Sequence, residues 1–151
     1  MVTLSLKGRA LKYLAAREHS RWELRRKLAP HAESLEQVDL ALDELEARGL
    51  LSAERFAESV VHRKAARYGL ARVQAELAQH RLPDDVAREA LADLKSSELA
   101  RAHAVWARRF GVVPESPQEQ ARQMRFLAGR GFATDVIRRI VRGESPGDSE
   151  A

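Results

Sequence analysis

The side chains best suited to acid–base, metal or nucleophilic chemistry are scattered along this chain. Its histidines, which show no metal-ligand spacing beside a suitable acid, are His19, His31, His62, His80 and His103. His19 precedes a helix cap and is interpreted as a local hydrogen-bonding residue rather than a base. Asp84 and Asp85 resemble a carboxylate pair, but a helix N-terminus accounts for them better. With no cysteine and no glycine-rich phosphate loop, the sequence predicts a protein that is not an enzyme and has no cofactor or metal.

Basic residues form the more informative pattern. Arg21 and Arg25 are four residues apart on one predicted helix, beside the Leu24 and Leu28 stripe, and arginine suits bidentate contacts with phosphate or carboxylate. The candidate residues for binding an acidic protein groove or DNA are Arg21, Arg25, Arg26, Lys27, Arg63, Lys64, Arg67, Arg72, Arg122, Arg125, Arg130, Arg138 and Arg139. The alternative is an ordinary arginine-rich surface encoded by GC-biased DNA.

Charge alternates along the chain, whose net charge is +4. Residues 1–29 carry 8 basic and 2 acidic side chains, whereas residues 33–58 carry 8 acidic and 2 basic ones. Residues 63–81 and 122–142 are again basic. This alternation favours separate basic and acidic faces for a polyanion and a second partner, although charged residues also simply solvate helices. Aromatic residues make up 5%, and Trp22 and Tyr68, the plausible exposed ones, are more typical of a core, which disfavours sequence-specific reading of single strands.

A weak internal repeat of about 50 residues positions these clusters. Segment 72–78 (RVQAELA) is echoed at 122–128 (RQMRFLA), and Asp85-Val86 is echoed at Asp135-Val136. A looser copy lies upstream, around Leu24 and Leu28. Repeats of this length are typical of small helical units that bury their apolar faces by stacking. We predict an all-α fold of three tandem three-helix repeats, about nine helices, forming an elongated, curved array.

Local signals predict where these helices begin and end. Ser20 with Glu23 forms a capping box, as does Ser34 with Gln37, and a helix beginning near Ser96 opens the third repeat. Four glycines followed by apolar residues predict left-handed helix ends. These glycines are Gly49, Gly69, Gly111 and Gly131. In the first helix the predicted apolar stripe is Leu11, Leu14 and Ala15.

The predicted boundaries are residues 1–50, 51–95 and 96–143 for the three repeats, followed by a disordered tail at 144–151. The N-terminus lacks a secretory pattern, and no apolar run reaches the roughly 18 residues of a membrane span. We therefore expect a cytoplasmic monomer with no membrane contact.

Residues 17–28 (REHSRWELRRKL) resemble the RecX family, regulators of the RecA recombinase. The resemblance continues at 49–51 (GLL), 55–57 (RFA) and 68–69 (YG), then at Glu76-Leu77, Leu127 and 130–132 (RGF), and it covers about residues 8–142. The family often has glycine where Arg81 stands.

This resemblance implies three three-helix units and a protein that lodges in the groove of a RecA filament on single-stranded DNA. There it would restrain ATP hydrolysis, strand exchange and co-protease activity, and it would have no catalytic residues. Two alternatives stay open: a helical module that binds single- or double-stranded DNA directly, and a scaffold that binds another protein without DNA.

Overall fold

The structure, a computed structural model, describes residues 3–147, and these residues are helical with no strand. Side-chain caps begin several helices where the sequence predicts them. Ser20 accepts from the Glu23 N–H while Glu23 accepts from the Ser20 N–H, so the capping box is confirmed. The helices are α1 (Leu6–Ala16), α2 (Arg21–Leu28), a 3-10 turn (Ala29–His31), α3 (Leu35–Ala47), α4 (Ala53–Lys64), α5 (Leu70–Gln79), α6 (Asp84–Arg109), α7 (Pro117–Gly129) and α8 (Thr134–Val141).

The helices form three units, each with its own apolar core. The first unit is α1–α3, the second is α4, α5 and the first half of α6, and the third is the rest of α6 with α7 and α8. Repeat-equivalent pairs lie in the middle of each core. These buried pairs are Leu24 and Leu28, Val73 and Leu77, and Gln123 and Leu127. The predicted all-α, three-repeat fold is confirmed.

The prediction of a separate helix beginning near Ser96 is wrong. Helix α6 runs unbroken for 26 residues, so the second and third units share it and the described residues contain eight α-helices rather than nine. The hydroxyls of Ser96 and Ser97 donate backwards to the Asp93 carbonyl, at 3.0 and 3.1 Å, instead of capping a new helix. Bonds of this kind satisfy a serine hydroxyl inside a helix, where it does not act as a cap.

The apolar stripe of α1 matches the predicted one only at Leu14, which packs against the core. Leu11 and Ala15 are exposed, whereas Ala10 is wholly buried and Leu14 is partly buried. The i, i+4 row that runs from Leu6 through Ala10 to Leu14 faces the core. The prediction is therefore wrong for Leu11 and Ala15.

Three of the four glycines predicted to end helices do so, with positive φ values of 74° at Gly49, 72° at Gly111 and 89° at Gly131. Gly69 does not, because its φ is −80° and it precedes the first turn of α5. Of the predicted tail, Glu144 lies in the described part and pairs with Arg139. Residues 148–151 lie outside the described residues.

Candidate anion-binding interface

The first-unit arginines that the sequence nominates are largely paired within the unit. Arg21 contacts Asp43 at 2.7 Å, Glu46 at 3.2 Å and Asp39 at 3.6 Å, and Arg25 contacts Asp39 at 3.0 Å. All three acids lie on α3, so the acidic stretch of the sequence packs against the basic one. The positive charge of α2 is therefore partly neutralised before any partner arrives.

Other first-unit cations stack on rings. Arg26 is exposed and lies 4.7 Å from the centre of the Trp22 ring, and Lys27 lies 4.7 Å from that of Tyr13. Lys27 also donates to His19 Nε2 at 3.0 Å, and His19 Nδ1 lies 3.0 Å from the Arg17 carbonyl. Burial, aided by the two neighbouring positive charges, lowers the pKa of His19. His19 is thus a neutral local hydrogen-bonding residue, as its sequence context predicts.

A serine, a histidine and a carboxylate meet where the first unit contacts the second. Ser20 Oγ lies 2.7 Å from His80 Nδ1, which lies 3.7 Å from Glu23 Oε1. Ser20 is wholly buried and its oxygen already accepts the Glu23 N–H, so no substrate can reach the hydroxyl. This trio joins the units rather than presenting a nucleophile.

Burial alone would raise the pKa of the Glu23 carboxyl. Hydrogen bonds from the Arg17 side chain and the Ser20 N–H, with the charge of Arg17, outweigh burial and lower the pKa to about 2. Glu23 is therefore ionised at neutral pH, and Arg17 at 2.7 Å is its counter-ion.

The second and third units touch through backbone atoms. The Gly69 N–H donates to the Arg130 carbonyl at 2.8 Å. A Cβ on Gly69 would lie 2.3 Å from the Gly131 oxygen, and one on Gly131 would lie 2.5 Å from the Arg72 Cβ. Glycine is therefore required at position 69 because the two units approach closely there, and not because the backbone takes a left-handed turn.

Two polar side chains of α6 hold the segment before α5 in place. Glu98, which is 5% exposed, accepts from the Leu70 N–H at 2.8 Å and so supplies the cap that α5 lacks. The Arg101 guanidinium donates to the carbonyls of Ala65 at 3.0 Å and Tyr68 at 2.6 Å. These bonds hold the backbone at Tyr68 in place.

Alternating arginines and aromatic rings cross the junction between these two units, within the roughly 6 Å at which a cation is attracted to a ring. We name this set the junction ladder. In order, its members are Tyr68, Arg130, Phe126, Arg109, Phe110 and Arg122. The Arg130 Cζ lies 5.4 Å from the Tyr68 ring centre and 5.1 Å from that of Phe126.

The ladder continues from α7 to the end of α6 on the same pattern. The Arg109 Cζ lies 5.4 Å from the Phe126 ring centre and 5.9 Å from that of Phe110. The two phenyl rings meet edge-on at 5.4 Å, and Arg122 lies 5.6 Å from Phe110. Arg122 is also paired with Glu119, at 3.4 Å.

A groove of about 390 Å³ runs beside the ladder, and we name it the junction groove. Its lining residues include no acid and are Ala66, Arg67, Tyr68, Val105, Arg108, Arg109, Phe126 and Arg130. Within residues 3–147, its four arginines make no ion pair. Unpaired positive charge from the second and third units therefore converges in this groove.

The sequence nominated part of this site. Arg67 and Arg130 line the groove, Arg122 belongs to the ladder, and Arg72 and Lys64 contact the Tyr68 ring at 4.2 and 5.4 Å. Lys64 is also paired with Glu76, at 3.7 Å. The second- and third-unit clusters therefore meet, while no first-unit residue lines the groove.

Other nominated residues lie elsewhere or were overlooked. Arg63, Arg125 and Arg138 are exposed and make no ion pair within the described range, and Arg139 pairs with Glu144. Sequence reasoning missed residues of the groove and ladder. These are Arg108, Arg109, Phe110 and Phe126. The available signal was the i, i+4, i+8 spacing of Arg, Phe and Arg at 122, 126 and 130, which places all three on one helix face.

Across residues 3–147, no group of three or more His, Cys, Asp or Glu side chains is placed to hold a metal ion. None of the helices described combines the length and apolar character needed to span a bilayer.

Family comparisons agree with the three-unit architecture. The chain matches the first three-helix domain of RecX over residues 7–45, the second over 54–91 and the third over 96–141. It is 59% identical to the regulatory protein RecX of Ralstonia nicotianae over 140 residues, which cover 93% of this chain and 88% of that protein. It is 55% identical to the regulatory protein RecX of Leptothrix cholodnii, covering 92% and 88%.

Solved structures share the fold. The crystal structure of RecX from Lactobacillus salivarius matches with a TM-score of 0.76 at 20% identity, covering 91% of this chain and 92% of that one. A second crystal structure of regulatory protein RecX matches with a TM-score of 0.77, covering 92% of this chain and 72% of that one. With its three domains in order along nearly the whole chain, this protein belongs to the RecX family of regulatory proteins.

Proposed function

We propose that this chain is a non-enzymatic regulator of the RecA recombinase. In this proposal it acts in the cytoplasm as a monomer, binds RecA and its filaments on single-stranded DNA, and lowers ATP hydrolysis, strand exchange and co-protease activity. The observation that carries the proposal is the match to all three RecX domains over residues 7–141, joined to relatives named as regulatory proteins.

The surface supports a partner that is long and negatively charged. Stacked helical units present extended binding surfaces, and basic side chains at both the first unit and the junction groove suit a polyanion or an acidic protein groove.

The direct test is RecA's DNA-dependent ATP hydrolysis on single-stranded DNA, with this protein added far below the RecA concentration. The proposal predicts progressive inhibition that persists when single-stranded DNA is in excess. No inhibition, even at equimolar protein and low salt, would contradict it. Inhibition that disappears with excess DNA would also contradict it, because the protein would then only be competing for DNA.

A single charge reversal tests the first-unit surface without disturbing the fold. Arg26 is exposed and makes no ion pair within the described residues, so Arg26→Glu should raise the concentration needed for half-inhibition of RecA. Arg25→Glu is a poorer choice, because it places a carboxylate beside Asp39 and loses the 3.0 Å ion pair. The matched control is Arg88→Glu, an equal charge change at an exposed position of α6. Equal inhibition by Arg26→Glu and the control would show that Arg26 is not part of the binding surface.

A further inference from the structure

We infer that the first unit binds a small molecule with two adjacent phosphate groups, a nucleoside diphosphate or free pyrophosphate. The site is a pocket beside α1, which we name the α1 pocket, lined mainly by Arg9, Lys12, Tyr13, Arg17 and Lys27. It shares no lining residue with the junction groove. The inference goes beyond the proposed regulatory function and does not depend on it.

The α1 pocket gathers positive charge that lacks a counter-charge. Four basic side chains line it and no acidic one does. Arg17 is compensated by Glu23 at 2.7 Å. The other three, Arg9, Lys12 and Lys27, make no ion pair with any residue that the structure describes. Three uncompensated cations suit a ligand that carries more than one negative charge.

Lys27 is the strongest indication of an anionic ligand. Its side chain is partly buried, and it contacts His19 Nε2 at 3.0 Å and the Tyr13 ring at 4.7 Å. Because burial lowers the pKa of His19 and keeps the ring neutral, neither contact supplies a negative charge. Cations withdrawn from water are normally paired. The Lys27 ammonium has three N–H donors, of which His19 takes one, so donors remain for phosphate oxygens.

Two helices bring these cations to one place. Arg9 and Lys12 are three residues apart on α1, where side-chain Cβ atoms lie about 5–6 Å apart. Lys27 comes from α2. Cations that converge in this way can hold neighbouring phosphate groups of one molecule, whereas a nucleic-acid strand is held by cations that follow its backbone along a groove.

The size and the apolar part of the pocket favour an organic phosphate. The pocket has a volume of about 550 Å³, within the range of about 300–1,000 Å³ typical of small-molecule sites. Leu4, which is 43% exposed, and Ala16 add apolar surface to its lining. That surface can cover a base or sugar, so a nucleoside diphosphate should bind more tightly than pyrophosphate.

The test is isothermal titration calorimetry of the full chain with ADP, pyrophosphate, orthophosphate and adenosine. We expect saturable binding of ADP, weaker binding of pyrophosphate, and still weaker binding of orthophosphate and adenosine. Arg9→Gln and Lys12→Gln should each weaken ADP binding about tenfold, the loss expected for one charge-assisted contact. The matched control is Lys95→Gln, which removes the same charge from an exposed position of α6 and should leave the affinity unchanged.

Nuclear magnetic resonance of the imidazole rings locates the bound ligand. His19 is bonded to Lys27, so its ring nitrogen signals should shift as ADP is added, with the dissociation constant found by calorimetry. The signals of His103, which lies in the third unit beside Trp106, should not shift. Circular dichroism checks that each variant is folded, and Lys12, which is exposed, offers the substitution that disturbs the fold least.

Several results would overturn the inference. One is an equal ADP affinity of the Lys12→Gln and Lys95→Gln variants, and another is no binding of ADP or pyrophosphate at about 1 mM. A third is binding of orthophosphate as tight as that of pyrophosphate, which would remove the need for adjacent phosphate groups. A fourth is displacement of ADP by an equal concentration of an oligo(dT) strand whose binding also depends on Lys12, which would assign the pocket to a DNA backbone.

The comparison of ADP with pyrophosphate separates the two sources of the ligand. Tighter binding of ADP supports a nucleotide, and equal binding supports the diphosphate group alone. None of these measurements contains RecA, so failure of the proposed regulatory function would leave them unaffected.

Discussion

Replacing Gly69 with alanine should separate the second and third units. The added Cβ would lie 2.3 Å from the Gly131 oxygen, 2.4 Å from the Gly131 carbonyl carbon and 2.5 Å from the Phe132 nitrogen. Ordinary contacts between non-bonded heavy atoms lie at about 3.5–4.0 Å. Since all three atoms belong to the backbone, no side chain can rotate away, and the units must move apart by about 1 Å or more.

The expected loss of stability combines two effects. Forcing extra atoms into a well-packed contact costs about 1–3 kcal/mol. Moving the units apart also breaks the 2.8 Å bond from the buried Gly69 N–H to the Arg130 carbonyl, and an unsatisfied buried donor costs about 1–3 kcal/mol. Alanine recovers about 0.4–1 kcal/mol by restricting the unfolded chain. We expect Gly69→Ala to lower the free energy of unfolding by about 3 kcal/mol.

Urea denaturation followed by circular dichroism measures this loss. With a slope of about 2 kcal/mol per molar urea, the midpoint should fall by about 1.5 M. The matched control is Gly129→Ala, which adds the same methyl group inside α7 with no other atom within 4 Å. That variant should be unchanged or more stable by up to about 1 kcal/mol. If Gly69→Ala costs less than about 1 kcal/mol, the close approach of the backbones is not what requires glycine there.

Three other predictions concern single residues. Arg81 has a φ of +52°, a left-handed conformation that glycine adopts without strain. Arg81→Gly should therefore raise the free energy of unfolding by about 1 kcal/mol and the thermal midpoint by a few degrees. A lower midpoint would contradict this. Gln123→Val should lose about 1–3 kcal/mol in urea denaturation, because it leaves the buried Trp106 Nε1–H, now bonded to Gln123 at 2.8 Å, without an acceptor; a neutral effect would show that Trp106 finds another partner. The pKa of Glu23, lowered to about 2 when folded, means that its ionised form adds stability above the ordinary carboxyl range and that this stability is lost as pH falls towards 2. Glu23→Gln should therefore be less stable than the parent at pH 7 and approach it as pH falls, and a constant difference across pH would refute the ion pair with Arg17.

Local sequence signals predicted the units well because their causes are local. The Ser20 capping box and the buried Leu24 and Leu28 depend on residues within one or two turns, and the structure confirms each. The unbroken α6 could not be predicted in the same way, since serine suits either a helix start or a back-bonded interior position. At Ser96 and Ser97 the second applies.

The candidate site was harder to predict because it depends on contacts between distant segments. Residue type correctly nominated Arg67 and Arg130, but nothing near Arg109 in the sequence indicates that its neighbour is Phe126. Likewise, the partners of Arg21 lie on α3, 18 or more residues away. Counting charges therefore identifies basic segments, whereas packing decides which of them stay available.

The shared helix α6 fixes the angular phase between the second and third units. Each residue inserted into an α-helix turns everything beyond it by about 100° and advances it by about 1.5 Å. One residue added near Lys95, between the two cores, would thus swing the third unit, with Arg109 and Phe126, about a quarter of the way around the axis and away from Tyr68 of the second unit. Seven added residues would restore the direction to within about 20° but carry it about 10 Å too far along. Substitutions are tolerable on the exposed face of α6, but the number of residues between the second and third cores cannot change. An insertion or deletion there would separate the two walls of the junction groove even if both units still folded.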